Sequence, residues 1–419
     1  MALAAAAVLC SGSVASGGTS SPAALTSTPA ALSGAPERPA LAPDTRFYAP
    51  PPNAGGVRQV SRLRRAGRSG AARRLAAMIS VAQAVWFTEG TPQQVRQYAQ
   101  ETVAAAADDG SVAALVAYNV PGRDCALYSA GGAATGSAYR AWIDALVDGV
   151  GQAPVVVIIE PDGLALLPAD CGQADPYDRL ALVSYAAHAF LADANAQIYV
   201  DAGNSDWNIV SLTAERLVEV GVADVDGFAL NTSNFQLTGN SIQYGKWVAK
   251  CIAYGTIVDP GNFAACPDQY GSWGGVALSS YGAWSDVAAK ARFNTAAENA
   301  RYDQLLGATP ATTHFVVDTS RNARGPWPGT SSHRASNPDT EAWCNPPTRG
   351  AGARPTANTG VALVDAYLWV KLPGESDGEC YRWTGGPSDS VRHGQDPAAG
   401  VWFSAMALEL ADNALPAFP

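Results

Sequence analysis

The run Val155-Val-Val-Ile-Ile159 places five β-branched residues in a row and then delivers two carboxylates, Glu160 and Asp162, on either side of Pro161. Five such residues read as a strand buried on both faces, as in a parallel sheet covered by helices. Pro161 has no N–H and disfavours the helical conformation of Glu160, so the ladder ends there and Asp162 projects beyond it. A carboxyl group against an apolar wall keeps its proton to higher pH, which is what a general acid needs. A strand-end Asp can also do no more than cap the next helix. Two carboxylates at the end of so apolar a strand favour catalysis.

The same arrangement recurs along the chain. Ala113-Ala-Leu-Val-Ala-Tyr118-Asn119 runs into Pro121-Gly-Arg-Asp124, and Ile198-Tyr-Val ends at Asp201. Gly227-Phe-Ala-Leu leads to Asn231-Thr-Ser-Asn234, and His314-Phe-Val-Val leads to Asp318-Thr-Ser-Arg321-Asn322. Val364-Asp-Ala-Tyr-Leu-Trp-Val370 is followed by Lys371-Leu-Pro-Gly-Glu375-Ser-Asp377. With Ala82-Gln-Ala-Val-Trp86-Phe87 these make seven short apolar strands. Helical patterns separate them, among others at 92–107, 138–150 and 177–194. Alternation of this kind, with polar chemistry at one rim, predicts an α/β fold: a distorted seven-stranded parallel (β/α) barrel with its active site at the C-terminal rim. A doubly wound sheet would gather the polar strand ends at one switch point, whereas here they are spread over the whole chain.

Of the 419 residues, 1–20 read as a secretory signal, without the usual basic start, and 21–45 as a Ser/Thr/Ala/Pro-rich linker. Residues 46–419 then form the catalytic domain of a secreted, extracellular protein, expected to be a monomer and to have no membrane contact once the signal is cleaved. Seven arginines between Arg58 and Arg74 suggest a basic patch, but the net charge is −10, so a solvated helix face is favoured and nucleic acid is not expected as a partner. Cys10 would leave with the signal. Cys125, Cys171, Cys251, Cys266, Cys344 and Cys380 remain, an even number with no zinc spacing, which suggests disulfides. Six cysteines permit about fifteen connectivities. Cys125 with Cys171 would tie two candidate active-site loops, Cys251 with Cys266 is the local pair, and Cys344 with Cys380 would close the last long loop. Each could contribute roughly 3–4 kcal/mol on the chain-entropy estimate.

No nucleophile elbow, Walker loop or dinucleotide fingerprint is present, the four histidines are scattered, and neither cofactor nor metal is expected. What remains is carboxylates with aromatics near the same strand ends: Trp86, Tyr118, Trp207, Trp343 and Trp383, with Trp369 read as core. Aromatic faces stack on sugar rings, and paired carboxylates without metal or nucleophilic serine are the equipment of a glycoside hydrolase.

At these residues the chain resembles glycoside hydrolase family six, the inverting cellulases, over about residues 46–414. Ile158-Ile-Glu-Pro-Asp162-Gly-Leu is similar to the family's acid signature, and Tyr118-Asn-Val-Pro-Gly-Arg-Asp124-Cys125 to its second signature. Asp201-Ala-Gly, Asn231-Thr-Ser-Asn234-Phe, Asp318-Thr-Ser-Arg-Asn322, Trp343-Cys344 and Lys371-Leu-Pro-Gly-Glu375-Ser-Asp377-Gly378 follow in the family's order. The resemblance implies a β-1,4-glucan substrate and bridges Cys125–Cys171 and Cys344–Cys380, with Cys251–Cys266 an extra bridge in an enlarged 236–307 region. It implies Asp162 as general acid, Asp124 as the carboxylate that holds up the acid's pKa, and Asp377 as base, directly or through water. It also implies sugar contacts for Trp86, Tyr118, Ser129, Asp201, Trp207, Asn231, Asn234, Trp343, Lys371 and Glu375. Asn204 stands where the family often has His. The short loop after Cys125 resembles endo-acting members; an exo-acting cellobiohydrolase and a non-catalytic glucan binder are the alternatives.

If water attacks directly, opposite a general acid, the anomeric centre inverts. NMR of a fresh hydrolysate should therefore show the α-anomer first; initial β-product would establish a covalent intermediate instead.

Overall fold

The computed structural model describes residues 40–329, 341–382 and 386–419; the expected signal, most of the expected linker and Trp383 lie outside them. Seven strands form one sheet in sequence order: β1 (Val85–Phe87), β2 (Ala113–Ala117), β3 (Val155–Ile159), β4 (Ala196–Asp201), β5 (Gly227–Leu230), β6 (His314–Asp318) and β7 (Val364–Leu368). Every neighbouring pair is parallel, with Ala113 opposite Val155 and Ile159 opposite Val200. The sheet curls into a distorted half-barrel.

Two apolar layers explain the curl. Side chains alternate along a strand, so Val116, Ile158, Tyr199, Ala229, Val316 and Leu368 gather in an inner cluster. Leu115, Val157, Ile198, Phe228 and Phe315 face outward into a larger core. The helices supply the other half of that core: α3 (Pro92–Asp108), α4 (Gly136–Val150), α5 (Arg179–Ala189), α6 (Val210–Glu219), α7 (Thr238–Ala253) and α8 (Ala296–Leu306). Burial on both faces is why β2 to β5 read as continuous apolar runs. At Gly227, which opens β5 with φ +145°, a Cβ would lie 2.0 Å from the His314 carbonyl, so the close approach of β6 requires glycine there.

The edges meet at a seam. β1 and β7 share no ladder, but Ala84 N–H donates to the Trp369 carbonyl at 2.9 Å and the Trp86 indole N–H to the Val370 carbonyl at 2.7 Å. β7 ends two residues before the expected Val370, where the Val370 and Lys371 N–H groups turn to the Asp318 carboxylate. Trp369 is buried, as expected of a core residue.

Local signals set the helix starts. Thr91 and Gln94 form a capping box around Pro92, Thr135 caps α4 and Asp178 caps α5. Asp178 as cap explains why α5 begins two residues later than the apolar pattern suggests. The arginine run lies on α1 (Ala54–Arg65) and α2 (Ser69–Met78), mostly exposed, with Arg74 paired to Asp412 of α9 (Ser404–Asp412) at 2.8 Å. Three disulfides form: Cys125–Cys171 between the loops after β2 and β3, Cys251–Cys266 after α7, and Cys344–Cys380 between the segments after β6 and β7.

Helices α3 and α4 touch through Gly149, where a Cβ would lie 2.5 Å from the Arg96 carbonyl and 2.7 Å from Ala99 Cβ. Gly149→Val should therefore cost about 1–3 kcal/mol by overpacking, read as a lowered Tm with the native CD spectrum retained. An unchanged Tm would show that the two helices separate freely.

Candidate active site

Asp162 sits at the end of β3 with φ +65°, and Glu160 two residues earlier has φ +48°. Non-glycine residues rarely adopt such angles, and they persist where surrounding contacts over-determine them. The contacts here are specific. The Glu160 carboxylate, fully buried, accepts Asn119 N–H and Val120 N–H and the Tyr139 hydroxyl at 2.8–3.1 Å. Burial pushes this carboxyl up to about 7, against the pull of those donors and of Arg179. Glu160 thus ties the ends of β2 and β3 together and turns Asp162 to the opposite side.

Asp162 faces a cavity of about 420 Å³ at the C-terminal rim. Its N–H donates to Asp201 at 3.0 Å. Burial raises its carboxyl well above the ordinary range, and the nearby charges of Asp201, Asp124 and Asp377 push the same way while Lys371 opposes them. Asp124, with φ +58°, accepts Ser129 N–H at 2.5 Å and is itself raised by burial. Tyr118 packs edge-on to Trp86 at 5.5 Å, beneath the Arg123 guanidinium at 4.6 Å.

Asp377 approaches from the segment after β7. Arg321 binds both its oxygens, at 2.8 and 3.0 Å, and Asn345 N–H adds a third donor at 3.0 Å. Arg321 is wholly buried and also packs over Phe235 at 4.2 Å. Lys371, whose ammonium reaches the Ser376 carbonyl at 3.3 Å, has its pKa lowered by burial, with Asp377 opposing.

Most of the expected residues converge on this cavity: Trp86, Tyr118, Asp124, Ser129, Asp162, Trp207, Asn234, Trp343, Lys371 and Asp377 all line it. Three expected at the sugar surface lie outside its lining. Asp201 is fully buried and accepts Asp162 N–H and Gly203 N–H, so it works beneath the floor. Asn231 is also fully buried and spends its amide on Gln236 and the Asp318 carbonyl. Glu375 accepts from Asn53 at 3.0 Å. Arg321 and Asn345, which fix Asp377, were not anticipated; a lone Arg at the polar end of β6 was the available signal, and Asn345 offered none. Among the described residues no cluster of His, Cys, Asp or Glu is arranged to hold a metal ion.

Comparison with known proteins agrees with this arrangement. The glycosyl hydrolases family 6 profile matches residues 42–414. The chain belongs to that family. Among family 6 relatives, endoglucanase A of Cellulomonas fimi is 35% identical over 321 residues, covering 77% of this chain and 51% of that protein. A probable 1,4-β-D-glucan cellobiohydrolase C of Aspergillus niger is 30% identical, covering 76% of this chain and 64% of that protein. The chain thus spans about half to two thirds of the length of these curated relatives. A solved structure of the endoglucanase Cel6 from Mycobacterium tuberculosis, in complex with a methyl-cellobiosyl-4-deoxy-4-thio-β-D-cellobioside, has a TM-score of 0.62 at 33% identity, covering 88% of this chain and 97% of that one.

The negative charge of Asp124 is one cause of the raised Asp162 pKa, so removing it must lower that pKa. If Asp162 must be protonated to act, Asp124→Ala should move the alkaline limb of the kcat/KM–pH profile to lower pH. An unmoved limb would reject Asp124 as the source of that shift.

Proposed function

We propose that this family 6 chain is a secreted endo-β-1,4-glucanase that cleaves cellulose or a related glucan with inversion, Asp162 acting as general acid. The observation that carries this reading is Asp162 itself, held at the cavity wall with its pKa raised by burial and by three neighbouring carboxylates. A protonated carboxylic acid at that position can give its proton to the departing glycosidic oxygen. Trp86, Trp207, Trp343 and Tyr118 offer apolar faces for sugar rings, and Asn234, Ser129 and Lys371 offer polar groups.

Asp377 is the partner carboxylate in this reading. Its oxygens already carry the Arg321 guanidinium and the Asn345 N–H, which favours proton transfer through an intervening water over direct contact with the nucleophile. Asp124 holds the acid's pKa up from the adjacent loop.

Endo action is favoured by the loop after Cys125. It folds straight back on its own base: Arg123 bridges to Gly131, its Nε reaches the Ser129 carbonyl at 2.9 Å, and Ala133 N–H returns to the Asn119 carbonyl at 2.8 Å. A ring so short supports an open cleft on this side, while the 378–398 stretch is the segment long enough to cover part of it. Extracellular function accords with three disulfides, which persist in oxidising compartments.

Carboxymethyl cellulose should lose viscosity early relative to the reducing ends released; slow viscosity loss with mainly cellobiose would establish exo action instead, and no product a binding protein. Asp162→Asn should lose roughly 10²–10⁴-fold of turnover on cellulose, the usual worth of general acid catalysis. The loss should be much smaller on a glucoside with a good leaving group. Equal losses on both substrates would move the acid role to another residue.

A further inference from the structure

Between α7 and α8 the chain makes a long excursion that adds no strand to the sheet. It carries several exposed aromatics, among them Tyr281, which is half exposed, and Tyr270 and Trp273. Tyr281 stands apart because it lines the same cavity as Asp162, Trp207 and Asp206.

Two sets of contacts fix it there. The excursion is bolted to the loop that carries Trp207: Tyr270 donates its hydroxyl to the Trp207 carbonyl at 3.0 Å, Gln269 its amide to the Asn208 carbonyl at 2.9 Å, and the Ser280 hydroxyl bonds the Asp206 carboxylate. The turn bearing Tyr281 is pinned from below. Trp284 donates its indole N–H to the Ser279 carbonyl at 2.9 Å and stacks on Trp247 at 5.8 Å. Gly282 is packed so closely that a Cβ would lie 2.6 Å from the Phe293 ring. Cys251–Cys266 closes the start of the same excursion. An exposed aromatic ring on a turn this constrained is preorganised, so a ligand pays little ordering entropy to use it.

We propose that Tyr281 is a sugar-stacking platform that lengthens the glucan cleft beyond Trp207, adding contact with a further glucosyl unit on the β4–β5 side of Asp162. The proposal rests on the glucanase reading of the site. A flat, half-exposed phenol ring that shares the cavity with Trp207 and other aromatics suits the apolar face of a pyranose, and its hydroxyl can exchange hydrogen bonds with a ring hydroxyl. The contribution falls only on chains long enough to reach it, so it sets a length preference without touching the chemistry.

The test compares wild type, Tyr281→Ala and Tyr281→Phe on cellotriose and cellohexaose, with binding of cellohexaose measured by calorimetry in the Asp162→Asn background. Tyr281→Ala should weaken cellohexaose by about tenfold in KM and in Kd, equivalent to about 1.4 kcal/mol. Its effect on cellotriose should stay under about twofold on the same scale, and Tyr281→Phe should keep most of the gain because the ring face remains. Equal losses on both lengths, or none, would overturn the platform while leaving the glucanase reading intact. Wild-type protein that neither cleaves nor binds cellohexaose would remove both.

Discussion

A carboxyl group whose pKa is raised by burial amid three other carboxylates is the constraint on which the rest of the site depends. Asp201, Asp124 and Asp377 all raise the pKa of Asp162, and Lys371 opposes them. Each of those carboxylates would drift or draw in counter-ions unless something held it. Backbone N–H groups do most of the holding. Asp201 takes Asp162 N–H and Gly203 N–H, Asp124 takes Ser129 N–H, and Asp377 takes Asn345 N–H beside the Arg321 guanidinium. Fixed dipoles are already oriented and need no reorganisation when charge moves. The cost is local strain, since Asp124, Glu160, Asp162, Asn231 and Ser233 all carry positive φ. At about 1–3 kcal/mol each, such angles survive only on a frame that over-determines them. The two-layered sheet is that frame.

The frame was legible in the sequence because burial on both faces leaves uninterrupted apolar runs, and each run announces its end with a polar residue. Asp162 and Asp124 could be singled out for the same reason, and Trp343 because an aromatic in a polar loop is not spent on the core. A strand end does not reveal which way the last side chain points. Asp201 and Asn231 occupy equivalent places on β4 and after β5, yet both turn beneath the floor and serve the backbone. Glu160 and Asp162 show the same division within three residues, one directed into the β2–β3 junction and the other into the cavity. Arg321 escaped notice because its value lies in a contact with Asp377, 56 residues away in sequence. Asn345 offered still less, being one amide in a loop whose partners become neighbours only when β6 and β7 pair. The early end of β7 is likewise a long-range effect, since the Asp318 carboxylate at the end of β6 takes the Val370 and Lys371 N–H groups.

The disulfides follow the chemistry more closely than the core. Cys125–Cys171 stands beside the loop of Asp124, and Cys344–Cys380 brackets Asn345 and Asp377. Cys251–Cys266 lies instead within the helix-side core, at the start of the excursion that bears Tyr281.

The seam between β1 and β7 carries one further implication. Among the described residues a single backbone hydrogen bond and one indole N–H span it, and that indole belongs to Trp86, which also lines the cavity. The side chain that joins the two edges thus also presents a face to the cavity. A ligand that binds on Trp86 more tightly with the edges joined than with them parted would stabilise the join by that difference, which would link occupancy of the cleft to integrity of the sheet.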